Sequence, residues 1–443
     1  MAALVEAAAD RARTRRLSRA DLVVLGAEAV LVAAAGVVGL LLNRRGVGLH
    51  ADAAPLYATW RPHVGWGTPA AVLVAVVVTG WGVPWARTAR WGAVLGAAWP
   101  AAVAWTLALS MVDGWSAGLV QRLTVQAEYL TEVPGVTDLG ALLPGFADRI
   151  LDFQPGSWST HTAGHPPGAL LVFVLLDRVG LGGGTAAGLA CVLIGATVVV
   201  SVAVTLRALG APDAARAVVP FLVLLPGAVW TGASADGIFA AVVAAGVALL
   251  VVRGPVVAAA GGLLLGCALY LSYGFVLVGF LALAAIVLRP NARPAALLAA
   301  LAGVATVVGG VTLAGFNWWT GYHLVVERYY QGWAAERPYA YWVWANLAAL
   351  ILSAGPVVGP ALRRAVGALR THRLALLPLA AALAVAVADL SGMSKAEVER
   401  IWLPFVVWLL AATALLPPHT RRWWLAGQAA TALAVNHLLW TVS

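Results

Sequence analysis

Charged side chains are scarce in this chain of 443 residues, because Asp, Glu, Lys and Arg together make up only 11% of it. Soluble domains carry about 25%. Cysteine is scarcer still: Cys191 and Cys267 are the only two, and both lie inside apolar runs. This argues against a disulfide framework, and no CxxC or Cys/His pattern indicates a metal site. The sequence also lacks a GxxxxGK[ST] motif, which argues against an ATP-driven pump.

In place of charge the chain has hydrocarbon, with 62% hydrophobic residues and a mean hydropathy of +0.88. Its apolar runs each approach the roughly 20 residues that a helix needs to cross about 30 Å of membrane. Spanning segments must satisfy their own backbone groups, which helices do. The sequence therefore predicts an all-α, polytopic transmembrane helical bundle in contact with membrane lipids. The runs occupy residues 22–42, 69–86, 91–111, 166–181, 184–206, 217–231, 237–252, 255–272, 274–288, 295–315, 342–360, 374–390, 401–416 and 423–440.

The basic residues predict the orientation, because cytoplasmic connections carry an excess of Arg and Lys. The formal net charge is +9, and its clustering between apolar runs indicates membrane topology rather than nucleic-acid binding. Arg11, Arg13, Arg15, Arg16 and Arg19 place the N-terminus in the cytoplasm. The acidic connections 112–165, 234–236, 316–341 and 391–400 then fall on the outer face, as does 43–68, whose three arginines are an exception to the rule.

One run must stop short of a full crossing, because otherwise every connection after it would lie on the opposite face from the one its charge predicts. The run 166–181 is short and contains Asp177 and Arg178, so we predict that it dips into the membrane or lies near the outer surface. About 13 full spans remain, with the N-terminus inside and the C-terminus outside. The connection 112–165 contains interfacial helices in this prediction, since loops longer than about 15 residues are uncommon and usually functional.

This long outer loop carries the first candidate residues. Asp113 directly follows a span, where it is either a solvated helix end or a general base whose pKa is raised by partial burial. Glu128 is either a solvated interfacial acid or a second catalytic carboxylate. His161 and His165 have the spacing of metal ligands on a helix, but Gly164 and the following prolines argue against a regular helix. Interfacial histidines with water, or donors to a phosphate or sugar hydroxyl, are the remaining interpretations.

Three later segments add candidates. Asp236 follows a proline-containing apolar run and is either part of a simple turn or a partner of Asp113. The loop 316–341 is rich in aromatic residues, which form an interfacial belt or, with interleaved arginines, a surface for a sugar ring beside a phosphate. The segment 394–405 places four charges at the mouth of a span, which is costly unless they pair or bind a ligand. The binding candidates in these last two segments are Trp318, Arg328, Arg337, Tyr339, Lys395, Glu397, Glu399 and Arg400.

Together these residues resemble the GT-C superfamily of integral membrane glycosyltransferases. The resemblance consists of an acid after a span (Asp113), a Pro-Pro element that re-enters the membrane (His165–Pro167), a second acid (Asp236) and a Lys/Glu/Arg cluster before a proline (395–404). The closest likeness is to actinobacterial mannosyl- or arabinosyltransferases of the cell envelope that use polyprenyl-phosphate sugars. The chain departs from the common pair of adjacent acids, since Gly114 follows Asp113. A second mapping uses Asp52 as the acid.

The resemblance implies three regions. Residues 1–90 hold the cytoplasmic N-terminus and two added spans, 91–405 the catalytic module, and 406–443 the C-terminal spans. It implies an inverting transfer on the outer face of the plasma membrane, from a polyprenyl-phosphate sugar to an envelope glycan, lipid or protein. A carboxylate deprotonates the acceptor hydroxyl, and Arg400, Lys395 or His165 stabilises the departing phosphate. No cofactor is implied, and a divalent metal is left open.

Two other classes compete with the enzyme. A transporter or flippase for lipid-linked sugars needs charges near the bilayer midplane and broken helices in repeated halves. The sequence shows no clear internal repeat, and its charges cluster at span ends, which favours the enzyme. The departure at Gly114 keeps open an envelope assembly protein without activity.

Overall fold

The computed structural model describes residues 17–232, 234–252, 254–291 and 293–441. Arg11, Arg13, Arg15 and Arg16, on which the cytoplasmic assignment of the N-terminus depends, lie outside these ranges. Helices make up most of the described chain, and the first half contains α1 to α11 and one short strand. They are α1 Arg19–Arg44, β1 Ala58–Trp60, α2 Thr68–Val77, α3 Val83–Thr88, α4 Trp91–Ser110, α5 Leu139–Gly145, α6 Thr160–Gly164, α7 Pro167–Arg178, α8 Gly183–Gly195, α9 Val198–Ala208, α10 Pro212–Val223 and α11 Ala228–Thr231.

The second half continues with helices and ends in a second strand. Its elements are α12 Asp236–Val251, α13 Pro255–Ala268, α14 Val278–Leu288, α15 Arg293–Leu313, α16 Trp318–Gln331, α17 Tyr339–Ala354, α18 Val358–Ala368, α19 Leu376–Leu390, α20 Val398–Ile401, α21 Leu403–Leu409, α22 Arg421–Leu438 and β2 Leu439–Thr441. The two three-residue strands pair antiparallel, with Thr59 opposite Trp440.

Within the described ranges, six helical segments are long and apolar enough to cross a membrane: Arg19–Arg44, Thr68–Thr88, Trp91–Ser110, Gly183–Ala208, Arg293–Leu313 and Arg373–Leu390. A seventh arises if α17 and α18, which meet at an angle of 99°, count as one span. Shorter apolar helices lie at Asp236–Val251, Pro255–Ala268, Tyr273–Leu288 and Leu403–Leu415. The prediction of a mostly helical protein with helices long and apolar enough to span a membrane is thus confirmed.

Proline and glycine explain where several helices begin and bend. Proline stands in the first turn of α7, α10, α13 and α21, where the missing N–H is unpaired in any helix. Between α17 and α18, Gly355 has φ 92° and Pro356 follows it. A left-handed residue followed by proline cannot continue a helix, so this pair produces the sharp bend.

The helix that follows the long loop is short. α7 has 12 residues and rises about 18 Å, less than the roughly 30 Å of the hydrocarbon layer. Its last residue, Arg178, donates to the carbonyls of Val136 and Thr137 in the long loop. Both ends of α7 therefore lie beside the same loop, and α7 alone is shorter than the hydrocarbon layer is thick.

Charges inside the bundle differ from the expectation that they cluster at span ends. Glu28 lies in α1, ten residues into the helix, and is only 8% exposed. Its Oε1 accepts a hydrogen bond from the Gly359 backbone N–H at 2.8 Å, in the first turn of α18. At the start of α1, Asp21 forms ion pairs with Arg363 and Arg364 of the same helix α18. These contacts fasten α1 to the bent helix pair.

The loops that the charge pattern assigns to the outer face meet at one end of the bundle. β1 lies in the connection 43–68 and pairs with β2, which follows α22. The same connection contacts 316–341 through His50 and Glu336, at 2.7 Å. The long loop joins 391–400 through His161 and Arg400. Contacts of Tyr57 with Glu399 and of Arg337 with Glu397 join these two sets of connections into one surface.

Candidate functional site

Arg400 is the centre of a buried group of charged side chains at this end of the bundle. It lies in the short helix α20, directly before the apolar helix α21, and is 5% exposed. Its Nη1 donates to Asp236 Oδ2 at 3.1 Å. Its Nη2 donates to Glu397 Oε2 at 2.7 Å and to His161 Nε2 at 3.2 Å. One guanidinium thus joins three segments of the chain.

The long loop contributes a carboxylate and two histidines to this group. His161 Nδ1 lies 2.6 Å from Glu128 Oε1, and Glu128 is 2% exposed. Because His161 Nε2 accepts from Arg400, the imidazole proton belongs on Nδ1, facing Glu128. His165 bonds the His161 carbonyl through Nδ1 at 2.8 Å. The ring of Tyr129 lies 6.2 Å from that of His161 and 5.7 Å from that of His165, so it holds both imidazoles in place.

A second arginine extends the group toward the connection 43–68. Arg337 Nη1 lies 3.1 Å from Glu397 Oε1, so Glu397 is held between two guanidinium groups. The same Nη1 donates to the Lys395 carbonyl at 2.9 Å. Arg337 also donates to the carbonyls of Leu49 and His50. Arg337 therefore joins three of the connections that the charge pattern assigns to the outer face.

Lys395 is the only lysine in the chain, and it is 8% exposed. Its Nζ donates to the Ala334 carbonyl and lies 5.1 Å from the ring centre of Tyr330. Its backbone N–H donates to Tyr329 Oη at 2.9 Å. The next two residues, Ala396 and Glu397, both have positive φ, 70° and 64°. Non-glycine residues in this region are strained, which is typical of functional sites.

Glu399 of α20 is completely buried, with 0% exposure. Its Oε1 accepts from the Tyr57 backbone N–H at 2.8 Å. No cation pairs with Glu399 in the described residues, and its Oε2 is buried without a hydrogen-bond partner. Arg400 Nε is likewise buried and has no hydrogen-bond partner among the described atoms. Unpartnered buried atoms also occur elsewhere in the described chain, for example Arg363 Nε and Arg364 Nε, so they are not peculiar to this group.

The surroundings shift the carboxylates in opposite directions. Burial raises the pKa of Glu399 to about 7. Burial also opposes ionisation of Glu397, but Arg400 and then Arg337 outweigh it and bring the pKa of Glu397 to about 2. For Glu128, burial is outweighed by His161 and Arg400, so its pKa lies below the ordinary value. Burial lowers the pKa of His165 to about 4, which keeps its imidazole neutral at pH 7.

Asp113, predicted as the base, lies elsewhere. Its Oδ1 is 2.6 Å from His63 Nε2, and its Oδ2 is 2.6 Å from Arg122 Nη2. Arg122 also donates to the Thr441 carbonyl of β2. Among the described residues, no hydrogen bond or ion pair joins Asp113 to the Arg400 group. Its contacts instead hold the C-terminal strand against the long loop.

Four other candidates also lie outside the direct contacts of Arg400. Trp318 Nε1 donates to the Leu269 carbonyl, and the Trp318 ring stacks on Tyr322. Arg328 forms an ion pair with Asp152 and so fastens α16 to the long loop. Tyr339 Oη donates to the Leu390 carbonyl. Asp52 of the second mapping is exposed. Of the predicted residues, the structure gathers Glu128, His161, His165, Asp236, Arg337, Lys395, Glu397, Glu399 and Arg400.

Sequence reasoning missed several residues that support this group. Tyr57 and His50 come from a connection that broke the charge rule, and neither stands in a recognisable motif. Tyr129 was visible as the neighbour of Glu128, but its position between two histidines depends on the tertiary fold. In the described ranges, no group of three or more His, Cys, Asp or Glu side chains is arranged to hold a metal ion.

The arrangement has two chemical capacities. Three permanent cations, Arg337, Lys395 and Arg400, lie close enough together to stabilise an anionic oxygen, and arginine is a side chain well suited to phosphate. Asp236 contacts Arg400 directly, and Glu128 contacts it through His161, so both carboxylates lie close to these cations. A group transfer that releases a phosphate needs both. Comparison of the chain with protein-family models, curated proteins and solved structures found no match.

Proposed function

We propose that this chain is a membrane glycosyltransferase that moves a sugar from a polyprenyl-phosphate donor to an envelope glycan, lipid or protein. The observation that supports this most is the Arg400 group, in which residues 128, 161, 236, 397 and 400 meet within hydrogen-bond distance. Charged side chains buried at the mouth of an apolar helix are costly unless they bind or pair. A lipid-linked phosphate reaches this position from the membrane surface.

The proposed reaction is an inverting displacement. Asp236 takes the proton of an acceptor hydroxyl, and the oxygen attacks the anomeric carbon of the sugar. The bond from this carbon to the phosphate oxygen breaks, and polyprenyl phosphate leaves with the electron pair. Arg400, whose Nε is buried without a partner in the described chain, stabilises the developing charge on that oxygen. Glu128 orients His161, and His161 keeps Arg400 in position.

The proposal includes the GT-C architecture and about 13 spans. All fourteen apolar runs coincide with helical segments in the described chain, of which six or seven are of membrane length and the others are shorter or divided into two. Broken spans are tolerated where neighbouring helices cover the freed backbone groups. The Arg400 group then faces the outside of the plasma membrane, where the acceptors of the cell envelope lie.

The test is sugar transfer by the purified chain in lipid nanodiscs. Radiolabelled mannose, arabinose and glucose on polyprenyl phosphate are offered in turn with membrane acceptors. Asp236→Asn keeps a hydrogen bond to Arg400 but cannot take a proton. We expect it to reduce kcat by roughly 100-fold or more, the usual contribution of a general base. Donor binding should stay within a few-fold of wild type.

Asp113→Asn is the matched control, because it is the same substitution at a carboxylate also paired with an arginine. It removes charge from the contacts with His63 and Arg122, so we expect a lower melting temperature. Folded Asp113→Asn protein should retain transfer. Loss of transfer in Asp113→Asn with full activity in Asp236→Asn would move the base to Asp113. If the folded wild-type chain in nanodiscs transfers sugar from none of the three donors, the proposed reaction is contradicted.

A transporter or flippase for lipid-linked sugars is the second candidate, and one observation favours it. Glu28 is buried inside a membrane-length helix and bonds the first turn of α18, beside the 99° bend. Transporters place ionisable residues and broken helices at their binding sites. Movement of a fluorescent polyprenyl-phosphate sugar across liposomes, lost in Glu28→Gln and unaffected by Asp236→Asn, would support this candidate over the enzyme.

A further inference from the structure

A cavity of about 590 Å³ lies at the end of the bundle away from the Arg400 group. Its polar lining contains three arginines, Arg87, Arg216 and Arg421, together with His372 and one acid, Asp213. A second cavity of about 400 Å³ shares His372 with it and contains Arg363 and Arg364. Volumes of 300–1,000 Å³ are typical of ligand sites. With three arginines and one aspartate, the first lining carries a net charge of +2 before His372 is counted.

The position of the cavity follows from α22. This helix begins at Arg421 in the cavity wall and ends at Leu438, beside the strand pair β1–β2. Its 18 residues rise about 27 Å, which nearly equals the hydrocarbon thickness of a bilayer. The cavity therefore opens near one membrane surface when the Arg400 group lies near the other.

The cavity is amphipathic. The rest of the lining is largely apolar and includes Leu206 of α9, Pro378 of α19, and Ala411, Ala412 and Leu415 of the segment 410–418. A small inorganic anion makes no favourable contact with such apolar walls. A molecule with an anionic head and a hydrocarbon tail matches both parts of the lining.

We propose that this cavity binds the phosphate headgroup of an anionic membrane phospholipid. Arg87, Arg216 and Arg421 surround the phosphate, and the first acyl-chain carbons lie against the apolar walls. Basic pockets between membrane helices are the sites at which anionic headgroups bind. The site is independent of sugar transfer, because it shares no residue with the Arg400 group.

The arginines differ in what else they do. Arg216 donates to the carbonyls of Ala86 and Ala89 at 2.7 and 2.8 Å. Arg421 donates to the carbonyls of Leu416 and Ala414 and is buried. Substituting either would disturb helix ends as well as binding. In the described chain, by contrast, the Arg87 side chain makes no hydrogen bond or ion pair, so it can be changed without removing a structural contact.

The experiment measures phosphatidylglycerol binding by native mass spectrometry of the full chain in detergent, with phosphatidylcholine as the neutral lipid. Arg87→Glu is compared with Arg422→Glu. Arg422 is an exposed arginine that follows Arg421 at the start of α22 but does not line the cavity. His372→Glu, exposed and shared by both cavities, is the second variant. We expect phosphatidylglycerol affinity to fall about tenfold or more in Arg87→Glu and His372→Glu, and to change less than about threefold in Arg422→Glu.

Three results would overturn the proposal. Equal binding by Arg87→Glu, His372→Glu and wild type would exclude the cavity as the site. An equal loss in Arg422→Glu would indicate general attraction to a basic surface instead of a defined site. Thermal stabilisation by inorganic phosphate at the same concentration as phosphatidylglycerol, equally sensitive to Arg87→Glu, would indicate an anion site without a lipid requirement.

Discussion

Glu397 and Glu399 are two residues apart and both largely buried, yet their surroundings make them different acids. Glu397 lies between two guanidinium groups, whereas Glu399 accepts only a backbone N–H. A buried carboxylate without a cation is more stable when protonated. The short segment 395–400 therefore offers one permanent anion and one group that changes charge near neutral pH. This difference can be measured as stability.

Glu399 makes the folded protein less stable as pH rises. Its pKa is about 7 in the folded chain and 4.5 in an unfolded one, so the stability it contributes is fully present below pH about 4.5 and lost as pH rises through about 7. The change amounts to about 3 kcal/mol. Glu399→Gln keeps the bond from Tyr57 and stays neutral. We expect this variant to be more stable than wild type at pH 8 and equally stable at pH 4.5, by thermal unfolding in detergent.

Glu397→Gln is the control, because the pH dependence of stability expected for Glu397 is opposite to that of Glu399. The pKa of Glu397 is lowered to about 2, so its contribution is present above pH 4.5 and lost as pH falls through about 2. Removing this charge leaves Arg337 and Arg400 short of a partner, and we expect lower stability at pH 8. If both variants change stability in the same direction at pH 8, the assignment of their charge states is wrong.

Residue types predicted much of this group, but not its contacts. Four charges at the mouth of a span indicated 394–405 because burying them is costly, and the structure places Lys395, Glu397, Glu399 and Arg400 together. The ion pair of Arg400 with Asp236 joins residues 164 positions apart, which no local spacing encodes. Asp113 met the same criterion of an acid after a span. Its partner His63 stands in a connection without a motif, so its structural contacts were invisible in the sequence.

At the scale of elements, glycine determines how closely α13 and α15 pack. A Cβ at Gly303 of α15 would lie 2.4 Å from the Ala259 carbonyl oxygen, and one at Gly262 of α13 would lie 2.0 Å from that of Ala300. Small residues allow membrane helices to approach in this way. Hydropathy predicted both helices but could not show which glycines face a neighbour.

We expect Gly303→Leu to separate α13 from α15 and lower the free energy of unfolding by at least about 2 kcal/mol. Gly310→Leu is the control in the same helix, since a Cβ there has no neighbour within 4 Å. Thermal unfolding in detergent should show a lower melting temperature only for Gly303→Leu. Equal melting temperatures for the two variants would mean that the helices do not pack through this glycine.

For the whole molecule, the sequence predicted sidedness from charge, and the structure adds where the connections lie. The arginines at 87, 216 and 421 line one cavity, although they belong to three connections that are far apart in the sequence. The connections predicted to lie outside meet at the Arg400 group. The span count was harder to predict, because hydropathy detects a run of apolar residues but not a break within it, as at Gly355. Six or seven membrane-length helices plus shorter ones replace a row of uniform spans.

This separation predicts which residues can be labelled from outside an intact cell. Cysteines are placed singly at Asp52, Phe153 and Thr371, all exposed, in a Cys267→Ala background that leaves only the buried Cys191. We expect a membrane-impermeant maleimide to label Asp52→Cys and Phe153→Cys in intact cells, and Thr371→Cys only after permeabilisation. Thr371 lines the cavity that contains Arg363 and Arg364, whereas the other two lie in the connections around the Arg400 group. Labelling of Thr371→Cys alone in intact cells would reverse the orientation and place the Arg400 group in the cytoplasm. The proposed transfer to acceptors on the outer face would then be excluded.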